Sequence, residues 1–139
     1  MMHTGTAELL EKLQHASDLA AFFEEHRQDL ITQTVGGYLH IILERIDMKP
    51  AALAEASQLG NYVYRIINDE RNASRDALIS IALALRLNVA EAQMLLRIGR
   101  HAMLDPRFHR DAALLFALSD GCDVNKANDL LHEIGEATL

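Results

Sequence analysis

The amino-acid sequence predicts an all-α fold, a compact bundle of short helices. Half of its 139 residues are hydrophobic and 24% are charged, so one packed core is expected and disorder is not. The only prolines are Pro50 and Pro106, and no segment alternates apolar and polar residues as a half-buried strand would. Apolar residues recur instead at spacings of three and four, which is typical of amphipathic helices.

Three apolar stripes with helical spacing indicate faces that pack into a core. They comprise Tyr38, Ile41, Ile42 and Ile46; then Leu78, Ile81, Ala82 and Leu85; then Ala127, Leu130, Leu131 and Ile134. The segment Ala112–Leu118 is apolar on every side, so it is expected to form the buried centre of the C-terminal half.

Helix-boundary residues divide the chain into about nine helices with short connections. In the first half, Ser17 is expected to cap a helix running to about Gln28, and Pro50 fits the first turn of a helix through Ser57. The later boundaries are expected at Ser74, at Asn88 with Glu91 as a capping box, at Asp105-Pro106, at Gly121, at Asp123 and at Gly135.

Charge and cysteine content exclude several classes of protein. The chain has 13 basic and 20 acidic residues, a net charge of −7, which excludes a strongly basic nucleic-acid coat protein. Only residues 45–75, with five basic and four acidic side chains, are not acidic as a region. Cys122 is the single cysteine, so an internal disulfide and a zinc ribbon are excluded, and it fits a small buried filler better than a redox-sensing thiol.

Catalytic and metal-binding patterns are lacking as well. None of the seven histidines has the spacing of a zinc pair, and no Ser-His-Asp or Cys-His arrangement stands out. We therefore expect no enzyme activity, no metal and no cofactor. The N-terminal Met1-Met2-His3-Thr4-Gly5 lacks the features of an export signal, and no apolar run approaches the ~20 residues of a membrane span, so a cytoplasmic protein is expected.

The segment from Pro50 to Asn68 carries the functional signal. A short helix, Pro50–Ser57, is followed by a tight turn, Gln58-Leu59-Gly60, and a second short helix, Asn61–Asn68, which is the pattern of a helix-turn-helix. Its apolar residues Val63, Ile66 and Ile67 are expected to anchor the second helix. Its outer side is then formed by Asn61, Tyr62, Arg65 and Asn68.

These outward side chains suit the major groove of DNA. An asparagine amide can pair bidentately with adenine, and an arginine can reach O6 and N7 of guanine. Nearby Lys49, Arg71 and Arg75 can hold phosphates. Of the two neighbouring tyrosines, Tyr64 fits either a partner contact or the domain core.

The residues of this segment resemble Xre/Cro-type helix-turn-helix regulators, in particular a bacterial branch with a C-terminal helical extension. The likeness lies in Leu53-Ala54-Glu55, in Asn61 to Ile67 and in Arg71 to Asp76, and it continues through Leu85 to Leu96 and Leu130 to Glu136. It implies a lambda-repressor-like domain that binds double-stranded DNA as a homodimer in transcription control. Carried over by position, the base-reading residues are Gly60, Asn61, Arg65 and Asn68. It also implies three parts: an N-terminal helical segment (1–33), the helix-turn-helix domain (34–97) and an extension packed on it (98–139).

The chain departs from that family pattern in ways that leave a second interpretation open. Its turn is one residue shorter than the commonest form, Asp69 and Glu70 stand where glycine and a basic residue are frequent, and Ala73 replaces proline. The alternative is a helix-turn-helix fold used as a protein-interaction adaptor without DNA binding. The basic run Arg97–Arg110 could bind an acidic protein partner, a phosphorylated site or flanking DNA, or it could be a solvated surface.

Overall fold

In the computed structural model, which describes residues 5–139, the chain is all-helical and forms two compact units. Residues 1–4, which begin the segment predicted to lack an export signal, lie outside the described residues. The first unit ends at Thr32 and contains α1 (Thr6–Gln14) and α2 (Leu19–Glu25). The second unit, Gln33–Leu139, contains α3 (Val35–Arg45), α4 (Pro50–Ala56), α5 (Tyr62–Ile67), α6 (Arg75–Ala84), α7 (Val89–Ile98), α8 (His109–Ser119) and α9 (Val124–Glu133). Across the described range, no helix is long and apolar enough to cross a bilayer.

The first unit begins its second helix one residue later than expected. The Asp18 carboxylate, and not Ser17, accepts a hydrogen bond from the Ala20 N–H at 3.1 Å, and the helix ends at Glu25. Phe22 is buried in this unit, with its ring centroid 4.7 Å from that of His26. No residue of α1 is buried.

The second unit is built around α6, which is buried on every side from Ala77 to Leu83. Helices α4, α7, α8 and α9 all pack against it. Because a helix buried all round can carry apolar residues at almost every position, the run Leu78-Ile79 and Ile81 to Leu83 needs no polar stripe. The core of this unit therefore includes side chains from α4 and α5 as well as from α8 and α9.

Three predicted helix starts are confirmed by their capping bonds. The Ser74 hydroxyl accepts from the Ala77 N–H at 3.1 Å, and the Asp123 carboxylate accepts from the Lys126 N–H at 2.8 Å. Asn88 and Glu91 form the predicted capping box. The Arg45 guanidinium, 2.7 Å from Glu91 Oε2, holds the pKa of Glu91 below its ordinary value.

Several sequence predictions in this unit are wrong. The helix expected to open at Asp105-Pro106 begins at His109, since the Asp105 carboxylate is taken by the Arg107 N–H and guanidinium in a local turn. The segment Ala112–Leu118 is predicted to be buried, but its Phe116 is 59% exposed, because one side of α8 faces solvent. The first apolar stripe is shifted, with buried Leu39, Ile42 and Leu43 and with Ile41 and Ile46 exposed.

Helices α3 and α5 approach closely at Gly36. A Cβ placed on this buried glycine would fall against the Ile67 carbonyl oxygen and 2.6 Å from Asp69 Oδ2. Backbone cannot move aside as the end of a side chain can, so this position requires a glycine.

We expect Gly36→Ala to lower the free energy of unfolding by about 1–3 kcal/mol through overpacking. Gly37→Ala is the matched control, because its new methyl would meet side chains and no backbone outside its own helix: Gln33, with Oε1 at 2.6 Å, and Thr34, with Oγ1 at 3.1 Å. Side chains can shift where backbone cannot, and alanine is the better helix former, so any loss of stability in the control should be much smaller. Urea unfolding followed by circular dichroism compares the two, and equal stabilities would contradict the close approach.

Candidate functional site

The turn between α4 and α5 reverses the chain through two residues in left-handed conformation. Gln58 has φ 63° and Gly60 has φ 59°, and the Gly60 N–H donates to the Ala54 carbonyl at 3.1 Å. The buried Ser57 hydroxyl donates to the same carbonyl and accepts from the Leu59 N–H, each at 3.4 Å. These bonds close the end of α4 and fix the start of α5 relative to it.

Helix α5 has one buried and one exposed side, as the sequence predicts. Val63, Ile66 and Ile67 are 0%, 0% and 3% exposed. The exposed side carries Asn61, Arg65 and Asn68, spaced by four and three residues, together with Tyr64 at 40% exposure. Tyr64 therefore lies on the outer side and not in the core.

The polar side chains of this exposed side are uncommitted within the described part of the chain. Asn61 is the N-cap of α5 by position, but its side chain makes no capping hydrogen bond. The side chains of Arg65 and Asn68 are exposed and have no hydrogen-bond or ion-pair partner among residues 5–139. All three are free to meet an external group without breaking an internal bond.

The other predicted site residues occupy different positions. Lys49 is the exposed N-cap of α4, and Arg71 is exposed in the loop after α5. Gly60 is exposed in the turn. Tyr62 is half-buried, and its hydroxyl donates to the Asn72 carbonyl at 3.4 Å, so it braces that loop.

Arg75 is the predicted phosphate ligand that the structure places elsewhere. Its guanidinium donates to both carboxylate oxygens of Asp111, at 3.0 and 2.8 Å, and to the carbonyls of Ala102 and Met103 at 3.0 and 3.1 Å. The side chain is 25% exposed. Arg75 thus links the start of α6 to α8 and is not grouped with the uncommitted cations near α5.

Asp69 has a structural role that the sequence does not reveal. Its carboxylate accepts from the Thr34 hydroxyl and from the Gly36 N–H, each at 2.9 Å, at the N-terminus of α3. Its backbone is left-handed, with φ 58°, which aspartate tolerates better than most residues. These bonds tie the end of α5 to α3, and partners more than 30 residues away leave no local spacing to detect.

The basic run Arg97–Arg110 separates into paired and unpaired arginines. Arg110 makes a bidentate pair with Asp76, at 2.8 and 2.9 Å, and this carboxylate raises the pKa of Arg110. Arg107 pairs with Asp105 at 2.7 Å. Arg97 and Arg100 are exposed and have no carboxylate partner in the described chain.

Metal-binding clusters and related proteins give no further assignment. Within the described residues, no group of three His, Cys, Asp or Glu side chains is placed to hold a metal ion. Cys122 is buried, with Sγ 4.0 Å from Asp120 Oδ2. Comparisons of the chain with models of known families, with curated proteins and with solved structures found no match.

Proposed function

We propose that this chain is a sequence-specific, double-stranded DNA-binding regulator of the Xre type that acts as a homodimer. Its α4–turn–α5 segment serves as the helix-turn-helix of a lambda-repressor-like domain, and α5 enters the major groove. The observation that carries the proposal is the exposed side of α5. There Asn61, Arg65 and Asn68 project from a helix whose opposite side is locked into the core.

The contacts that hold α5 in the fold suit base reading, because a helix that reads bases must keep its side chains in fixed positions. The buried side of the helix, the Tyr62 bond to the Asn72 carbonyl and the Asp69 bonds to α3 restrain it on three sides. Asn61 and Arg65 lie one helical turn apart, so they can address neighbouring base pairs. An amide matches adenine and a guanidinium matches guanine.

Few phosphate contacts accompany this reading helix. Lys49 and Arg71 are the exposed, unpaired cations that flank α4 and α5 in the described chain. Each phosphate contact contributes about −0.9 to the slope of log K against log salt concentration. The net charge of −7 opposes non-specific attraction to DNA. Affinity should therefore depend strongly on the correct base sequence.

Selection from a random duplex library at fixed, moderate salt tests the proposal. We expect the wild type to enrich one motif and Asn61→Ala/Arg65→Ala to lose it, with about 1–3 kcal/mol of binding free energy lost per bidentate base contact. A palindromic motif with half-sites one helical turn apart would support the homodimer.

The matched control is Arg107→Ala, which removes one exposed arginine away from α5 and should keep the motif. Because the Asn61 and Arg65 side chains have no hydrogen-bond or ion-pair partner in the described chain, the double variant should unfold at the same temperature as the wild type. No enrichment by the wild type, even at low salt, would overturn the proposal.

The apolar surface of α8 favours a second candidate function, a protein-interaction adaptor. Phe108 and Phe116 are 65% and 59% exposed, and large aromatic side chains are enriched in protein interfaces. This candidate predicts a partner that stays bound after nuclease treatment and is lost in Phe108→Ser/Phe116→Ser. Retention of every partner by that variant would exclude this surface.

A further inference from the structure

The last turn of α7 and the loop after it carry two arginines that have no carboxylate partner in the described chain. Of the four arginines between positions 97 and 110, Arg107 and Arg110 are paired with Asp105 and Asp76. The Arg97 side chain, in the last turn of α7, contacts the Met103 sulfur at 3.2 Å, and Arg100 follows the end of the helix. These two remain exposed positive charges.

Hydrogen bonds hold this loop against the loop that follows α5. The His101 Nε2–H donates to the Ala73 carbonyl at 2.7 Å, so the two loops are joined by direct contact. Arg75 adds bonds to the carbonyls of Ala102 and Met103. Arg100 is one residue from His101, and Arg71 is two residues from Ala73. The exposed Arg71 and Arg100 therefore lie next to the residues whose hydrogen bond joins the two loops.

The backbone at Arg100 is fixed as well. Arg100 is left-handed, with φ 62°, and the next N–H, that of His101, donates to the Leu96 carbonyl at 2.9 Å. The Gln93 side chain also holds Leu104 through both its N–H and its oxygen, each at 2.8 Å. A cationic loop with a fixed backbone loses little conformational entropy when it binds an anionic surface.

We propose that Arg97 and Arg100 form a second phosphate-binding surface, which contacts the DNA backbone flanking the bases read by α5. The inference rests on the proposed function, because the loop that follows α5 connects the two surfaces. It assigns the backbone contacts of the basic run to these two residues and excludes Arg75, Arg107 and Arg110, whose guanidinium groups are paired. The ligand is the phosphodiester backbone of a duplex.

Salt dependence of binding measures these contacts directly. With the duplex selected by the wild type, Arg97→Ala/Arg100→Ala should reduce the slope of log K against log salt concentration by about 1–2, since each phosphate contact contributes about 0.9. The preferred motif should not change, because backbone contacts carry no direct sequence information. Arg107→Ala is the control with an equal loss of charge per residue, and its slope should match that of the wild type.

A second measurement locates the contact. Shortening the duplex to the selected motif alone should weaken wild-type binding and leave the affinity of Arg97→Ala/Arg100→Ala nearly unchanged. An unchanged salt slope in the double variant, or equal sensitivity of both proteins to duplex length, would overturn the inference while leaving the reading role of α5 intact. Failure of the wild type to bind any duplex would overturn the proposed function itself.

Discussion

A chain that ends at residue 103 is expected to lose the cooperative folding of the second unit. The deletion removes α8 and α9, which both pack on the central helix α6. It strips out Leu114, Leu118 and Leu131, which are 0%, 6% and 0% exposed, and it uncovers part of an apolar helix. The exposed part of α6 would be unfavourable in water, because Ala77–Leu83 has no polar side that could face the solvent.

The magnitude of this loss decides the outcome. Full burial of a leucine side chain contributes about 1.5–3 kcal/mol, and domains of this size are stable by about 5–15 kcal/mol in total. Three leucines alone therefore account for a large part of the net stability, before the bonds of Arg75 to Asp111 and of Arg110 to Asp76 are counted. The truncated chain should be unfolded or aggregated at room temperature.

Two measurements check this expectation: thermal unfolding followed by circular dichroism, and the chemical-shift dispersion of the amide protons in NMR spectra. The control is a chain of residues 33–139, which lacks the first unit and should keep a single cooperative transition because the second unit has its own core. A cooperative transition in the chain ending at 103, within a few degrees of the control, would show that the extension is an appendage.

Local signals made much of the fold predictable. The caps at Ser74, Asn88 and Asp123 depend on a side chain and an N–H only three residues away, so sequence spacing is sufficient to find them. The buried side of α5 likewise follows from the helical period. Both kinds of feature are fixed by neighbours along the chain.

Sequence reasoning fails where the contacts of a side chain are made with residues far away along the chain. Local sequence gives Arg75 the appearance of a free cation, but Asp111 lies 36 residues away and takes its guanidinium. Asp69 stands where the resembled family often has glycine, and no neighbouring residue in the sequence reveals that its carboxylate binds Thr34 and Gly36. Where apolar residues occupy more than one side of a helix, as in α3 and α8, the period cannot tell which side meets the core, and Ile41 and Phe116 are exposed.

Two reciprocal ion pairs join α6 to α8, and removing one should be costly. Arg75-Asp76 at the start of α6 faces Arg110-Asp111 at the start of α8, with Arg75 bound to Asp111 and Arg110 bound to Asp76. The Asp111 side chain is 11% exposed and also accepts from the Asp105 N–H at 3.0 Å. Its loss leaves the Arg75 guanidinium, 25% exposed, without its charge partner.

We expect Asp111→Asn to lower the free energy of unfolding by about 2–3 kcal/mol, somewhat less than for a fully buried pair. In a double-mutant cycle with Arg75→Met, the double variant should lose about 1–3 kcal/mol less stability than the sum of the two single losses, because both substitutions break the same interaction. Asp105→Asn is the matched control. Its partner Arg107 is 86% exposed, so its effect should be much smaller. Additive losses in the cycle would contradict a direct pairing.

Acidification provides an independent readout of the same pair. The Arg75 guanidinium holds the pKa of Asp111 below its ordinary value of 3.8. Because the folded pKa lies below the unfolded one, the stabilisation is fully present above about pH 4 and is lost as the pH falls through the folded value. The stability difference between the wild type and Asp111→Asn should therefore be constant near neutral pH and shrink below pH 4. A difference that persists unchanged in acid would assign the loss to packing and not to charge.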